Sequence, residues 1–407
     1  MSFAQFFYAN ENNILALVLF AVIAAFVYIK RRNFTVEGKI VFIYKTKIGL
    51  RIMKRLSRFK RAINVYGILG ALSFFASTAF MLYLLVPYMG LFLSHPSTTP
   101  AAVQLVLPVS GVPDVIGVPI LYWLIAIIVV VVFHEASHGI VALSKKVRVK
   151  SSGFGFFLAF LPLAFVEPDE KQFAKIKRFD RIKVLAAGSF TNILMGIAFL
   201  AIYILLSNYI ISAGIVTFPP IYLHILSVVP SGPAALAGLT ANTTVTEING
   251  NHFSSPQQAV SYLSVQPGQY VNLTALDGTV YHIKTAYNST IPTSTHSYIG
   301  ITGEYVEPAR SPFIISPLGN AIATSGFAAQ SLYWVDGLMF WLFLISLGIG
   351  TANFLPIGYI TDGCKIVYEL LGYVSKDKKK VLKATNAIVV AFTVFILFLL
   401  IMPLILR

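Results

Sequence analysis

Residues 123–146 read WLIAIIVVVVFHEASHGIVALSKK: a long apolar run, one ionisable cluster within it, and a basic end. A run of about 18 apolar residues can cross a hydrocarbon core roughly 30 Å thick. Ionisable side chains at that depth are costly, which points to function rather than packing. Here they are His134, Glu135 and His138. Helix positions four apart stack on one face, so both imidazoles can point at one metal ion. Glu135 falls beside that ion, where it can take a proton from a water whose pKa zinc lowers toward about 7. The bland alternative is a polar pair packed between helices. It is weakened because His134 and His138 are the only histidines, among 7 in the chain, that lie in any apolar run.

The rest of the chain has the same character. Of 407 residues, 57% are hydrophobic and 12% charged, and the mean hydropathy is +0.76. Soluble domains carry about twice that share of charge. Apolar runs near 13–29, 63–88, 117–144, 182–212, 333–357 and 384–405 predict about six transmembrane helices, the first a retained helix rather than a cleaved signal. The net charge of +15 sits beside these runs, which reads as membrane flanks and not as a nucleic-acid surface. Lys30–Arg61 alone holds twelve Lys and Arg residues, and further basic blocks occupy 145–150, 171–183 and 376–383. Segments 89–116 and 213–332 have almost none. The positive-inside rule therefore puts the basic blocks in the cytosol and the other two segments, with both termini, outside. The one cysteine, Cys364, excludes a disulfide framework and a cysteine metal site.

Two segments are not spans. Residues 153–166, GFGFFLAFLPLAFV, are too short and are cut by Pro162, which predicts a re-entrant loop or hairpin lining a protein cavity. Residues 218–305 alternate short β-rich runs with Pro and Gly turns, as a small β-rich domain does. Four divisions follow: an N-terminal membrane region (1–112), a first catalytic membrane segment (113–213), a β-rich (α+β) insert (214–310), and a second catalytic membrane segment (311–407). N-x-S/T sequons at Asn242, Asn272 and Asn288 are compatible with an external insert.

A catalytic zinc keeps one position open and needs three protein ligands, so two histidines leave it one short. Asp336 and Asp362 are the candidates flanking the fifth span. Asp336 is expected at its outer end. Asp362 follows a helix break at Pro356 and Gly358 on the inner side, which can turn a carboxylate into the cavity. A plain helix N-terminus at the cytosolic surface is the competing reading of Asp362, and Glu167 is a further candidate.

These motifs together resemble the site-2 protease family of intramembrane zinc proteases. HEASH (134–138) is followed by Gly188-Ser189-Phe190-Thr191-Asn192, similar to the family's G-x-x-x-N. Asn353-Phe354-Leu355-Pro356 leading to Asp362-Gly363 is similar to its N-x-x-P…D-G. The stretch GFGFFLAFLPLAFVEP (153–168) resembles the human-type branch. Six positions separate Pro356 from Asp362, one more than the family's usual spacing. The resemblance implies one zinc on His134, His138 and Asp362, Glu135 as base, and Asn353 holding the substrate's unwound backbone. It also implies regulated cleavage of membrane-anchored substrates, with the active site toward the cytosolic side. The insert's VVPSGPAALAGLTANTTVTEING (228–250) is similar to the PDZ signature. A PDZ-like domain is expected to contact a substrate ectodomain or peptide, by docking or as a steric filter. Expected partners are thus transmembrane protein substrates and the lipid bilayer. A metal or proton transporter is the first alternative, but no inverted repeat supports it. An inactive scaffold is the second, and no motif residue is missing.

Overall fold

The computed structural model describes residues 10–37, 40–96, 99, 101–109, 112, 115–158, 160–218, 220–287, 297–306, 321–324 and 326–406. The chain divides into two units, one of described residues up to 206 and from 335 onward, the other of described residues between 207 and 334. The Asn288 sequon and the 310/311 boundary lie outside the described residues.

The first unit opens with α1 (Glu11–Ile29), strands β1 (Thr35–Glu37) and β2 (Val41–Thr46), the short α2 (Leu50–Leu56) and the long α3 (Lys60–Ser94). After a small parallel ribbon, β3 (Leu105–Leu107) with β4 (Val115–Gly117), comes α4 (Ile120–Ser144), which carries HEASH. Asn12 ties α1 to the start of α4, its Oδ1 accepting from Ile120 N at 2.8 Å. That bond satisfies one of the backbone donors every helix start leaves open. Strands β5 (Val149–Phe157) and β6 (Leu161–Pro168) follow, then α5 (Glu170–Lys175) and α6 (Arg178–Ser212).

The apolar segment 153–166 is therefore an antiparallel β-hairpin, with Phe154 opposite Ala164 and Gly155 opposite Leu163. Two strands from the basic loop extend it. The sheet runs β1-β2-β5-β6, with Tyr44 opposite Phe154, and β6 is left at one edge. In chain order the helices α1, α3, α4, α6, α9 (Phe327–Phe354) and α11 (Lys378–Leu406) are long and apolar enough to cross a membrane. The protein is an integral membrane protein. Short α10 (Asp362–Val374) lies between the last two.

Spans α6 and α9 start earlier than their apolar runs. Arg178, Arg181 and Lys183 can sit within α6 because Glu369 and Asp180 compensate their charge. Since α9 starts at Phe327, Asp336 lies within the helix and is buried, rather than at its outer end.

The second unit holds a five-stranded antiparallel sheet ordered β11-β10-β9-β8-β14. These strands are β8 (Tyr222–Val228), β9 (Thr244–Ile248), β10 (Tyr270–Ala275), β11 (Val280–Lys284) and β14 (Ile301–Val306), with helices α7 (Pro233–Leu236) and α8 (Pro256–Leu263) between. Ribbons β7 (Val216–Thr217) with β15 (Ile322–Ala323), and β12 (Ala286–Tyr287) with β13 (Ser297–Tyr298), complete it. Alternate strand residues Leu223, Ile225, Val245, Leu273 and Ile283 face one core with Phe253. Asn249 and Gly250 turn the chain at φ 54° and 75°. Both positions are left-handed, as the two-residue turn expected at Asn-Gly requires.

Candidate metal centre

Three donor atoms meet where α4, α6 and α10 converge. His134 Nε2 and His138 Nε2 are 3.2 Å apart, and each is 3.2 Å from Asp362 Oδ2. His134 and Asp362 are buried, and His138 is nearly so. Three ligands about 2.0–2.1 Å from a tetrahedral zinc would be about 3.3–3.4 Å apart, so this triangle has the size such an ion needs. The donor set is chemically apt as well, two imidazoles and one carboxylate.

The two histidines are held in the tautomer that metal binding needs. His138 Nδ1–H donates to the Val184 carbonyl at 2.7 Å. A carbonyl only accepts, so Nδ1 carries a proton and Nε2 is the nitrogen left to ligate an ion. His134 Nδ1 contacts the fully buried Asn192 amide at 3.0 Å, while Asn192 Oδ1 has no described hydrogen-bond partner. With the amide's O and N exchanged by a half-turn, Oδ1 would accept from Nδ1–H. That again leaves Nε2 free to bind.

Helix α6 leaves room for the ion through one missing side chain. A Cβ on Gly188 would lie 2.6 Å from His134 Nε2 and closer still to His138 Nε2. Ser189, one residue on, donates to Asp362 Oδ2 at 3.3 Å. Asp362 reaches the histidines because α9 stops at Phe354 and the chain turns back over residues 355–361. Gly358 and Tyr359 are both left-handed there, with φ of 61° and 62°, and Thr361 Oγ1 donates to Leu355 O at 2.7 Å. The additional residue between Pro356 and Asp362 is taken up in this turn. A second tether holds α10 farther along. Arg181 grips Glu369 in two parallel hydrogen bonds of 2.7 and 2.8 Å.

Glu135 stands beside the triangle. One carboxylate oxygen of Glu135 and one ring nitrogen of each histidine lie within 4.8 Å of one another. Its Oε2 accepts from Val166 N of edge strand β6 at 3.2 Å. A cleft of about 280 Å³ opens there, lined by Glu135, His138, Val166, Asp362 and Lys365 among others.

The other candidates are elsewhere. Gly337, next to Asp336, packs on Tyr122, which is twelve residues or roughly 18 Å along α4 from His134. The Glu167 carboxylate accepts from Ser151 at 2.6 Å and Lys45 at 2.9 Å, and these bonds lower its pKa. Asn353 is half-buried at the last turn of α9. Sequence reasoning missed the parts played by Gly188, Asn192 and the Arg181–Glu369 pair. The signal for the first two was present in their spacing, since positions four apart on α6 face α4 together.

The profile of Peptidase family M50 matches residues 122–400. Among solved structures, the chain is similar to the PDZ domain of the SdrC-like protein from Listeria monocytogenes, at 30% identity over 20% of this chain and 85% of that one, with a TM-score of 0.18. No curated protein matches the chain.

Proposed function

As the chain belongs to Peptidase family M50, we propose that it hydrolyses peptide bonds within or near the transmembrane segments of membrane-anchored proteins. His134, His138 and Asp362 would hold one zinc ion, and Glu135 would be the general base. The observation that carries this reading is the triangle of 3.2 Å separations with a glutamate beside it. When bound, zinc would act as a Lewis acid and bring the pKa of a water toward about 7.

The remaining chemistry belongs to the chain's own groups. Glu135, held at one oxygen by Val166 N, keeps acceptor capacity for a proton from the attacking water. It would pass that proton to the amine released when the C–N bond breaks. The half-buried edge strand β6 beside Glu135 suits a substrate strand pairing alongside, which presents an extended peptide rather than a helix. A helix must unwind for that, and Asn353 at the end of α9 is proposed to hold the freed backbone. The asymmetry of basic residues supports a PDZ-like unit outside and a centre nearer the cytosolic face. From outside, that unit would contact the substrate's ectodomain or act as a steric filter.

The test uses purified protein and a single-span substrate in detergent or vesicles. Cleavage should stop with a zinc chelator and return when zinc is restored. Cleavage indifferent to chelation would overturn the proposal.

A further inference from the structure

The segment between α1 and α3 carries a surface that the reaction does not use. Lys47, Arg51, Lys54, Arg55, Arg58, Lys60 and Arg61 are all exposed. No Asp or Glu occurs between Glu37 and Asp114 to compensate them. Large apolar side chains are exposed among these cations: Ile48 is 77% exposed, Ile52 66%, Leu56 42% and Phe59 65%. Ile52 and Leu56, four apart, form one stripe on α2, and Ile48 and Phe59 are exposed just before and after that helix. Arg51 and Arg55 border that stripe. On the opposite side of α2, Met53 and Ser57 are buried against the protein.

A helix with one protein-facing side, one exposed apolar stripe and a cationic border has the composition of an interfacial helix. Its place in the chain agrees, since spans α1 and α3 bracket it and hold it at a membrane surface. Exposed apolar residues alone would fit any greasy partner. The uncompensated cations select an anionic one.

We propose that α2 and its flanks form a docking surface for an anionic lipid leaflet, with the apolar stripe in the acyl boundary and Arg51 and Arg55 on headgroup phosphates. The same helix touches the catalytic region. Met53 lies against Gly139, whose Cβ would fall 2.6 Å from Met53 Sδ and 3.1 Å from Val166 Cγ1. Gly139 follows His138, and Val166 N holds Glu135. Ser152 of β5 donates to Ile48 O at 2.6 Å, anchoring the start of the segment. Lipid on one side of α2 thus bears on the metal helix through the other.

The test places a nitroxide on Ile52→Cys in the full chain, with the wild type controlling for the buried Cys364. The protein is reconstituted in phosphatidylcholine, alone or mixed with phosphatidylglycerol. The label should be reached by oxygen rather than by an aqueous nickel reagent, and more deeply with phosphatidylglycerol present. Each cation near an anionic surface contributes about fivefold to the equilibrium. Replacing Arg51 and Arg55 by Gln should therefore abolish the phosphatidylglycerol effect and raise nickel access about fivefold or more, with zinc content kept as evidence of folding. A label open to nickel in both lipids overturns the proposal. So does one indifferent to phosphatidylglycerol, or one shielded from both reagents by a second protein copy. An accompanying change in cleavage would rest on the protease reading. The label does not, so failure of either is distinguishable.

Discussion

Gly188→Ala separates metal binding from folding, because the two respond to it in opposite directions. Within a helix, Ala is more favourable than Gly by about 1 kcal/mol, so α6 gains intrinsic stability. The added Cβ, however, would stand 2.6 Å from His134 Nε2. Carbon and nitrogen need about 3.4–3.5 Å, so the imidazoles must retreat by nearly 1 Å. Metal sites hold their distances within about 0.2 Å, several times less than that retreat. The imidazoles are the free ends of side chains and can swing away, which spares the fold but removes the site. Zinc affinity should fall at least about 100-fold, the upper range for disturbing even the groups behind the ligands. Zinc content after gel filtration and thermal melting with added zinc measure the two effects. In the wild type, zinc at about 100 times its Kd should add about 2.7 kcal/mol of stability. Gly188→Ala should show no zinc-dependent shift and a metal-free melt no lower than the wild type. A variant that keeps about one zinc per chain would refute the argument.

Three further outcomes follow from the same geometry. Glu369→Gln should weaken zinc binding about tenfold or more by loosening α10, and the swap Arg181→Glu with Glu369→Arg should recover part of it, since unpairing one buried charge costs about 3–5 kcal/mol. Zinc titration of the two single variants and the double variant measures this; no recovery in the double would mean that the pair does not position Asp362. Asp362→Asn should lose zinc and cleavage while Asp336→Asn keeps both, and the reverse result would move the third ligand from α10 to α9. Cysteines placed on exposed positions of 220–287 should react with an impermeant reagent from outside and those in 41–60 should not, whereas the opposite labelling would invert the proposed orientation.

What could be read from the sequence divides along physical lines. The spans were legible because a bilayer requires uninterrupted apolar length, and the HEASH face because helical spacing alone brings His134 and His138 together. Charged ends such as Arg178–Lys183 hid the true start of α6, since their partners Asp180 and Glu369 are apparent only in three dimensions. Strands β1 and β2 were missed because the alternation of VFIYKT (41–46) lies inside a basic loop that reads as a flank. The strand that joins them to the hairpin, β5, is more than a hundred residues away from β2. The approach of Asp362 depends on left-handed Tyr359, a conformation that a tyrosine does not announce. The helix break at Pro356 and Gly358 made Asp362 a candidate, and the resemblance to known motifs singled it out. Gly188 stood in a recognised motif, but its reason, the space its missing side chain leaves beside two imidazoles, required coordinates.

In the proposed reaction Glu135 acts on a water at a zinc it does not hold. Glu135→Gln removes the base and leaves His134, His138 and Asp362 in place, so metal content and cleavage should separate. Zinc per chain, measured on the same preparation used for cleavage of a single-span substrate, tests this most directly. Zinc should equal the wild type and cleavage should fall by about two to four orders of magnitude. Cleavage at the wild-type rate, or loss of zinc along with activity, would contradict it.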